Sequence, residues 1–134
     1  MIKLMIFLLC ATSLSGCTTY APAEQSNEIS HTRISAEQAY VIMAESNDFV
    51  LLDVRTHAEF QAEQIGGAIL IPYDEIAARA ADELPDKNAV ILIYCRTGRR
   101  SDIAAQALAK LGYTSIYDFG GIVDWSFGTE VGHD

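Results

Sequence analysis

The chain has 134 residues, half of them hydrophobic and 20% charged, with a formal net charge of −9 at pH 7. That length builds one domain with a real core and not two, and the composition is ordinary for a globular α/β protein. The acidic balance excludes a nucleic-acid partner, since no basic face is available to neutralise a run of phosphates.

Residues 1–16 read as an export signal, with Lys3 as its positive end and Leu4 to Leu9, Cys10 and Ala11 as its apolar body. Leu14-Ser-Gly-Cys17 resembles the lipobox of bacterial lipoproteins. That resemblance implies a lipidated Cys17 as the new N-terminus and an exported, periplasm-facing protein anchored in the cell envelope. Thr18 stands where the family's inner-membrane retention signal has Asp, which points to the outer membrane in a cell that has one. Two alternatives fit less well. A membrane-spanning helix needs about 20 apolar residues, more than this run supplies. Cleavage after Ala21-Pro-Ala23 obeys the small-residue rule but lies far from the apolar body and carries a proline. Starting at Cys17 removes only Lys3 among charged residues and leaves 8 positive against 18 negative side chains, or −10.

Residues 17–30 are polar and read as a flexible tether to a domain over 31–131. His31 to Ile34 predicts a short edge strand. Ser35 followed by Gln38 is a capping-box pattern opening a helix, whose apolar face is Ala39, Ile42 and Met43. Asn47-Asp48 turns the chain into a buried strand, Phe49 to Leu52, ending at Asp53-Val-Arg55. Thr56 and Glu59 form a second capping box, starting a short helix through about Ala62. His57, in that helix's first turn, is expected to face water and not to serve as a base.

Pro72 ends the next stretch, and Tyr73 to Ala81 predicts a small helix with Ile76 and Ala80 inward. Leu84 to Asn88 is a loop. Val90 to Tyr94 has the length and β-branched content of a strand buried on both faces, and it stops at Cys95. The loop Arg96-Thr-Gly-Arg-Arg100 and Ser101 follow. Ile103, Ala104, Ala107, Leu108 and Leu111 then recur at helical spacing as one buried face. Gly112 stops that helix, Thr114 to Tyr117 is the last strand, and Asp118-Phe-Gly-Gly121 turns toward a short helical piece bearing Trp125. The tail from Gly128 carries little.

Cys95 therefore sits at the carboxyl end of a strand and the mouth of a helix, on the rim where open α/β sheets bind ligands. Unpaired N–H groups of the helix start and a loop curled around one sulfur can hold an anion there. Arg96, Arg99 and Arg100 add full charge, and each effect favours thiolate over thiol. An inert core cysteine would have no use for three arginines. With Cys10 in the leader and Cys17 at its end, Cys95 is the one free thiol of the mature domain, so neither a disulfide nor a thiolate-rich metal site can be built.

Cys95-Arg-Thr-Gly-Arg-Arg-Ser101 resembles the active-site loop of single-domain rhodaneses, the sulfurtransferase family. Leu51-Leu-Asp-Val-Arg-Thr-His-Ala-Glu-Phe60 and Gly120-Gly-Ile-Val-Asp-Trp125 match further blocks of that family in order and spacing. The resemblance covers roughly Ile29 to Val131. It implies a three-layer α/β fold with a mainly parallel central sheet flanked by helices. It reads Ile65 to Ile71 as the family's third strand, bent at Gly66 and Gly67, and Trp125 as core. It also implies that Asp53 and Arg55 brace the active-site region, with a plain surface or cap-supporting ion pair as the other reading of Arg55.

The chemistry expected is attack by Cys95 on a sulfane sulfur, giving a persulfide whose outer sulfur passes to a thiol or cyanide. The backbone N–H groups from Arg96 to Arg100, Thr97 and Gly98 among them, would hold the persulfide, with Ser101 in support. Arg96, Arg99 or Arg100 would bind the donor anion, thiosulfate or similar, by forked hydrogen bonds. No metal or organic cofactor is implied, and the oligomeric state is open. Two alternatives remain: a sulfur carrier or partner-binding module with little turnover, and a phosphatase or arsenate-reductase-like enzyme. Those last resemble Cys-x5-Arg, whereas here Arg100 follows Cys95 after four residues and Ser101 occupies the arginine's slot. The shorter loop is sized for one sulfur.

Overall fold

The computed structural model describes residues 30–132, so Cys10, Cys17, the leader and nearly all of the tether lie outside the described residues. Within them the strands are β1 (Thr32–Arg33), β2 (Val50–Asp53), β3 (Ile69–Leu70), β4 (Val90–Cys95) and β5 (Ser115–Gly121). They form one sheet in the order β1-β5-β4-β2-β3, and every pairing is parallel. The helices are α1 (Ala36–Glu45), α2 (His57–Ala62), α3 (Ile76–Glu83) and α4 (Arg99–Lys110), followed by a 3-10 turn, Ile122–Asp124.

The central strand β4 accounts for the three layers. Alternate residues Ile91, Ile93 and Cys95 join a core with Ile76 and Ala80 of α3 and Ala104 and Leu108 of α4. Leu92 and Tyr94 point to the other face, against Ala39 of α1, Phe119 and Ile122, with Trp125 packed alongside. Each fully buried Leu or Ile contributes about 1.5–3 kcal/mol, and Ile91, Leu92 and Ile93 are all completely buried. Both predicted capping boxes are formed, at Ser35 and Gln38 and at Thr56 and Glu59. No helix among the described residues is long and apolar enough to cross a membrane.

Several boundaries differ from the sequence reading, each for a packing reason. Helix α4 starts at Arg99, before Ser101, and its buried face is rotated: Ser101, Ala104, Ala105, Leu108 and Ala109 face the sheet. Ile103 and Leu111, expected inside, are 40% and 36% exposed. Small residues on α4 let the helix lie close to β4, and apolar periodicity reads bulk more readily than alanine. The Asp118-to-Gly121 stretch is not a turn but the end of β5. Its register against β4 slips between Ile93 and Cys95, from Ile93 opposite Asp118 to Cys95 opposite Gly121. The third strand keeps only Ile69–Leu70, the edge strand only Thr32–Arg33, and the helix read from Tyr73 begins at Ile76. The tail is also tied down: Gln64 and Glu130 exchange backbone hydrogen bonds at 2.8 Å each, and the Gly132 N–H reaches Gln61 O at 3.0 Å.

Candidate active site

Parallel pairing puts the carboxyl ends of β2, β4 and β5 on one rim. Cys95 ends β4 and is 1% exposed. The chain then curls through Arg96 and Thr97 to Gly98, whose φ of +106° suits glycine. The curl aims the Gly98 N–H at Cys95 Sγ, 3.0 Å away. Gly121 lets β5 press against the outside of the loop, because a Cβ there would collide with the Arg96 carbonyl. Burial pushes the Cys95 thiol up, but hydrogen bonds from the Ser101 N–H and hydroxyl and from the N–H groups of Gly98 and Thr97 outweigh it. The net shift is below the ordinary thiol value, the direction a nucleophilic thiolate requires.

The loop arginines divide. Arg96 and Arg99 have exposed side chains, and the Arg99 guanidinium carbon stands 5.9 Å from the centroid of the Tyr73 ring. Arg100 turns inward to Glu59, with Nη1–Oε2 and Nη2–Oε1 both at 2.8 Å. Glu59 also accepts from the Thr56 N–H at 3.0 Å, so one carboxylate caps α2 and grips the first turn of α4. The Arg100 hydrogen bonds, chief among the causes, hold the Glu59 carboxyl down at about 2.

Asp53 and Arg55 form a fully buried pair at the end of β2. Arg55 Nε lies 3.0 Å from each Asp53 oxygen and Nη2 lies 2.6 Å from Oδ2. The same Nη2 donates to Glu63 O, and the guanidinium carbon is 5.6 Å from the Tyr94 ring centroid. Arg55 is 4% exposed, so the surface form of its ion-pair reading is corrected, because β2 ends inside the rim, whereas the bond to Glu63, the C-cap of α2, fits the cap-supporting form. An open pocket of about 290 Å³ lies beside the loop, lined by Arg55, Glu59, Glu63 and Arg96 with Ala62, Ile122 and Val123. His57 is exposed.

Behind the loop is a cluster that sequence reasoning did not find. His31 Nε2 lies 3.0 Å from Asp102 Oδ1 and 3.9 Å from Asp118 Oδ2, and Arg33 Nη2 lies 3.2 Å from that same oxygen. Arginine thus meets the buried charge of Asp118. Ser101, fully buried, places its hydroxyl 3.1 Å from Gly98 O and 3.3 Å from Gly120 O. The cluster draws on three separate stretches, residues 31–33, 98–102 and 118–120, which the sheet order brings together.

The rhodanese-like domain family matches residues 35–127. The chain belongs to the rhodanese family. Thiosulfate sulfurtransferase PspE of Escherichia coli is 41% identical over 73 residues, covering 54% of this chain and 70% of that protein. A sulfurtransferase of Allochromatium vinosum is 35% identical over 94 residues, 69% of this chain and 86% of its own. Among solved structures, a rhodanese with anions from E. coli superposes with a TM-score of 0.58 at 37% identity, covering 62% of this chain and 98% of that one. The parallel five-stranded sheet with flanking helices is the rhodanese fold, and Cys95 occupies its strand-to-helix loop.

Proposed function

We propose that this rhodanese is a sulfurtransferase whose nucleophile is Cys95. The Cys95 thiolate attacks the outer sulfur of thiosulfate or a similar donor. The donor's S–S bond breaks and sulfite leaves with the electron pair. The resulting persulfide anion lies within reach of the loop N–H groups, and an acceptor thiolate or cyanide then takes the outer sulfur and returns Cys95 as thiolate. The carrying observation is one buried sulfur with the Gly98 N–H aimed at it from 3.0 Å, in a loop whose donors favour its ionisation. Exposed Arg96 and Arg99 are the donor-binding candidates, whereas Arg100 is engaged by Glu59.

That engagement also weighs against the phosphatase reading, which needs a loop arginine free to grip an oxyanion inside the cradle. A carrier with little turnover is separated by steady-state assay with excess thiosulfate and cyanide. The deciding measurement is the intact mass of the protein after thiosulfate treatment. One added sulfur, located on Cys95 and discharged by cyanide, supports the reading; no added mass overturns it. The reading extends to the leader: lipid on Cys17 would anchor the domain to an envelope membrane.

A further inference from the structure

The N–H that reaches the Cys95 sulfur belongs to a residue with no side chain to hold it in place. Gly98 points at Sγ with a φ of +106°, and glycine by itself moves among many backbone conformations. What packs against its Cα therefore decides whether that N–H stays on the sulfur. A Cβ at Gly98 would lie 3.3 Å from Arg33 Nη1 and 3.5 Å from the Cα of Gly120. Gly120 also has a positive φ, +87°, and a Cβ there would again lie 3.3 Å from Arg33 Nη1. The two glycines lie side by side, and one guanidinium covers both.

The sheet brings Arg33 to this place. It ends β1 opposite Asp118 of β5 in the parallel register, and the Ile34 N–H donates to Asp118 O at 3.0 Å. Asp118 is fully buried, accepts the Gly120 N–H at Oδ1 over 2.9 Å and faces Arg33 Nη2 with Oδ2 at 3.2 Å. One arm of the guanidinium thus meets the carboxylate while the other lies over the glycines. The Ser101 hydroxyl, near both the Gly98 and Gly120 carbonyls, joins the same two residues. We propose that Arg33 is a positioning residue for Cys95. Its guanidinium, seated on Asp118, supplies from the edge strand the side-chain cover that Gly98 and Gly120 lack, and so keeps the Gly98 N–H on the sulfur. The inference rests on Cys95 being the nucleophile.

Shape and charge can be separated at this position. The other charged groups around the loop are His31 of β1, Asp102 and Arg100 of α4 and Asp118 of β5. Glu59 of α2, the Asp53–Arg55 pair at the end of β2 and the exposed Arg96 and Arg99 complete the set. Arg33→Lys leaves all of them, and the charge at position 33, as they are. Lysine has one nitrogen in place of a planar fork, so it can pair with Asp118 but cannot cover the glycines at the same time. If Arg33 did no more than neutralise Asp118, lysine would serve as well. The pocket beside the loop is lined from other elements, so Arg33 acts on the reactivity of the sulfur and not on donor binding.

The test is the rate of iodoacetamide alkylation of Cys95 against pH, beside thermal melting, in the wild-type protein, Arg33→Ala and Arg33→Lys. Arg33→Ala should lower the melting temperature, because it leaves the buried Asp118 without its cation. It should also move the alkylation midpoint up by about half to one unit, slowing alkylation about three- to tenfold at a pH below the midpoint. Arg33→Lys should recover most of the melting temperature while its midpoint stays displaced. Thiosulfate–cyanide turnover at that pH should lose kcat in both variants, with KM for thiosulfate within about twofold of wild type. An unmoved midpoint in Arg33→Ala, or a lysine that restores midpoint and melting together, would overturn the inference. Should Arg33→Ala fail to fold, Arg33→Lys decides alone, and a wild-type midpoint in it overturns the proposal. Alkylation reads the cradle without any sulfur donor. Displaced midpoints in a protein that takes up no sulfur would therefore keep this inference and sink the sulfurtransferase reading.

Discussion

Arg100 and Glu59 meet in a two-point ion pair, 2.8 Å at each contact, that joins the first turn of α4 to the capping box of α2. An arginine of the Cys95 loop is thereby a brace between two helices. Glu59 lies 41 residues from Arg100 in the chain, so this bond closes the rim across the sheet.

Removing the brace should cost stability and change its pH dependence. Glu59 is depressed from 4.5 to about 2, so its contribution is fully present above pH 4.5 and is lost as pH falls toward 2. Glu59→Gln should destabilise the domain by roughly 1–3 kcal/mol at neutral pH and flatten the acid limb of the stability curve. Denaturant melts at a series of pH values measure both. An acid limb unchanged in the variant would mean the pair contributes nothing.

Cys95→Ser should abolish sulfur uptake and transfer. The serine oxygen can accept the Gly98 N–H in place of Sγ, so the stability change should stay within about 1 kcal/mol. Thermal melting beside the thiosulfate–cyanide assay checks the two halves. Residual transfer in a well-folded variant contradicts the nucleophile assignment.

The exposed arginines should act on the donor anion. Arg96→Ala and Arg99→Ala should each raise the apparent KM for thiosulfate several-fold with smaller effects on kcat, and added salt should raise the wild-type KM by screening. Arg100→Ala should behave differently, lowering the melting temperature together with activity, because its guanidinium belongs to Glu59. A selective KM effect of Arg100→Ala would show that the ion pair opens to admit the donor.

Cys17→Ala should release the protein from membranes or block its processing while leaving sulfur transfer by the domain intact. Firm attachment depends on several acyl chains, since one anchors only marginally. Metabolic labelling with a fatty acid reads the outcome directly: no label on Cys17 would mean an ordinary cleaved leader.

How much was legible from sequence depends on whether the signal was local. The strand from Val90 to Cys95 could be read because β-branched and apolar residues run unbroken when both sheet faces are covered. The two helix starts could be read because a capping box closes within four residues. Cys95 and Gly98 lie in one short loop, so the proposed nucleophile and the N–H aimed at its sulfur were visible together. Helix α4 was misphased because alanines, not Ile103 and Leu111, line its close approach to the sheet. The partners of that loop were invisible for a different reason. Glu59 looked like a helix cap and nothing more, Asp118 like a turn residue, and His31 and Arg33 like an edge strand. Each finds its partners only when parallel pairing stacks β1, β5, β4 and β2 side by side. Short-range hydrogen bonds and periodicity are written in neighbouring residues, whereas the ion pairs around the loop join residues that are neighbours only across the sheet.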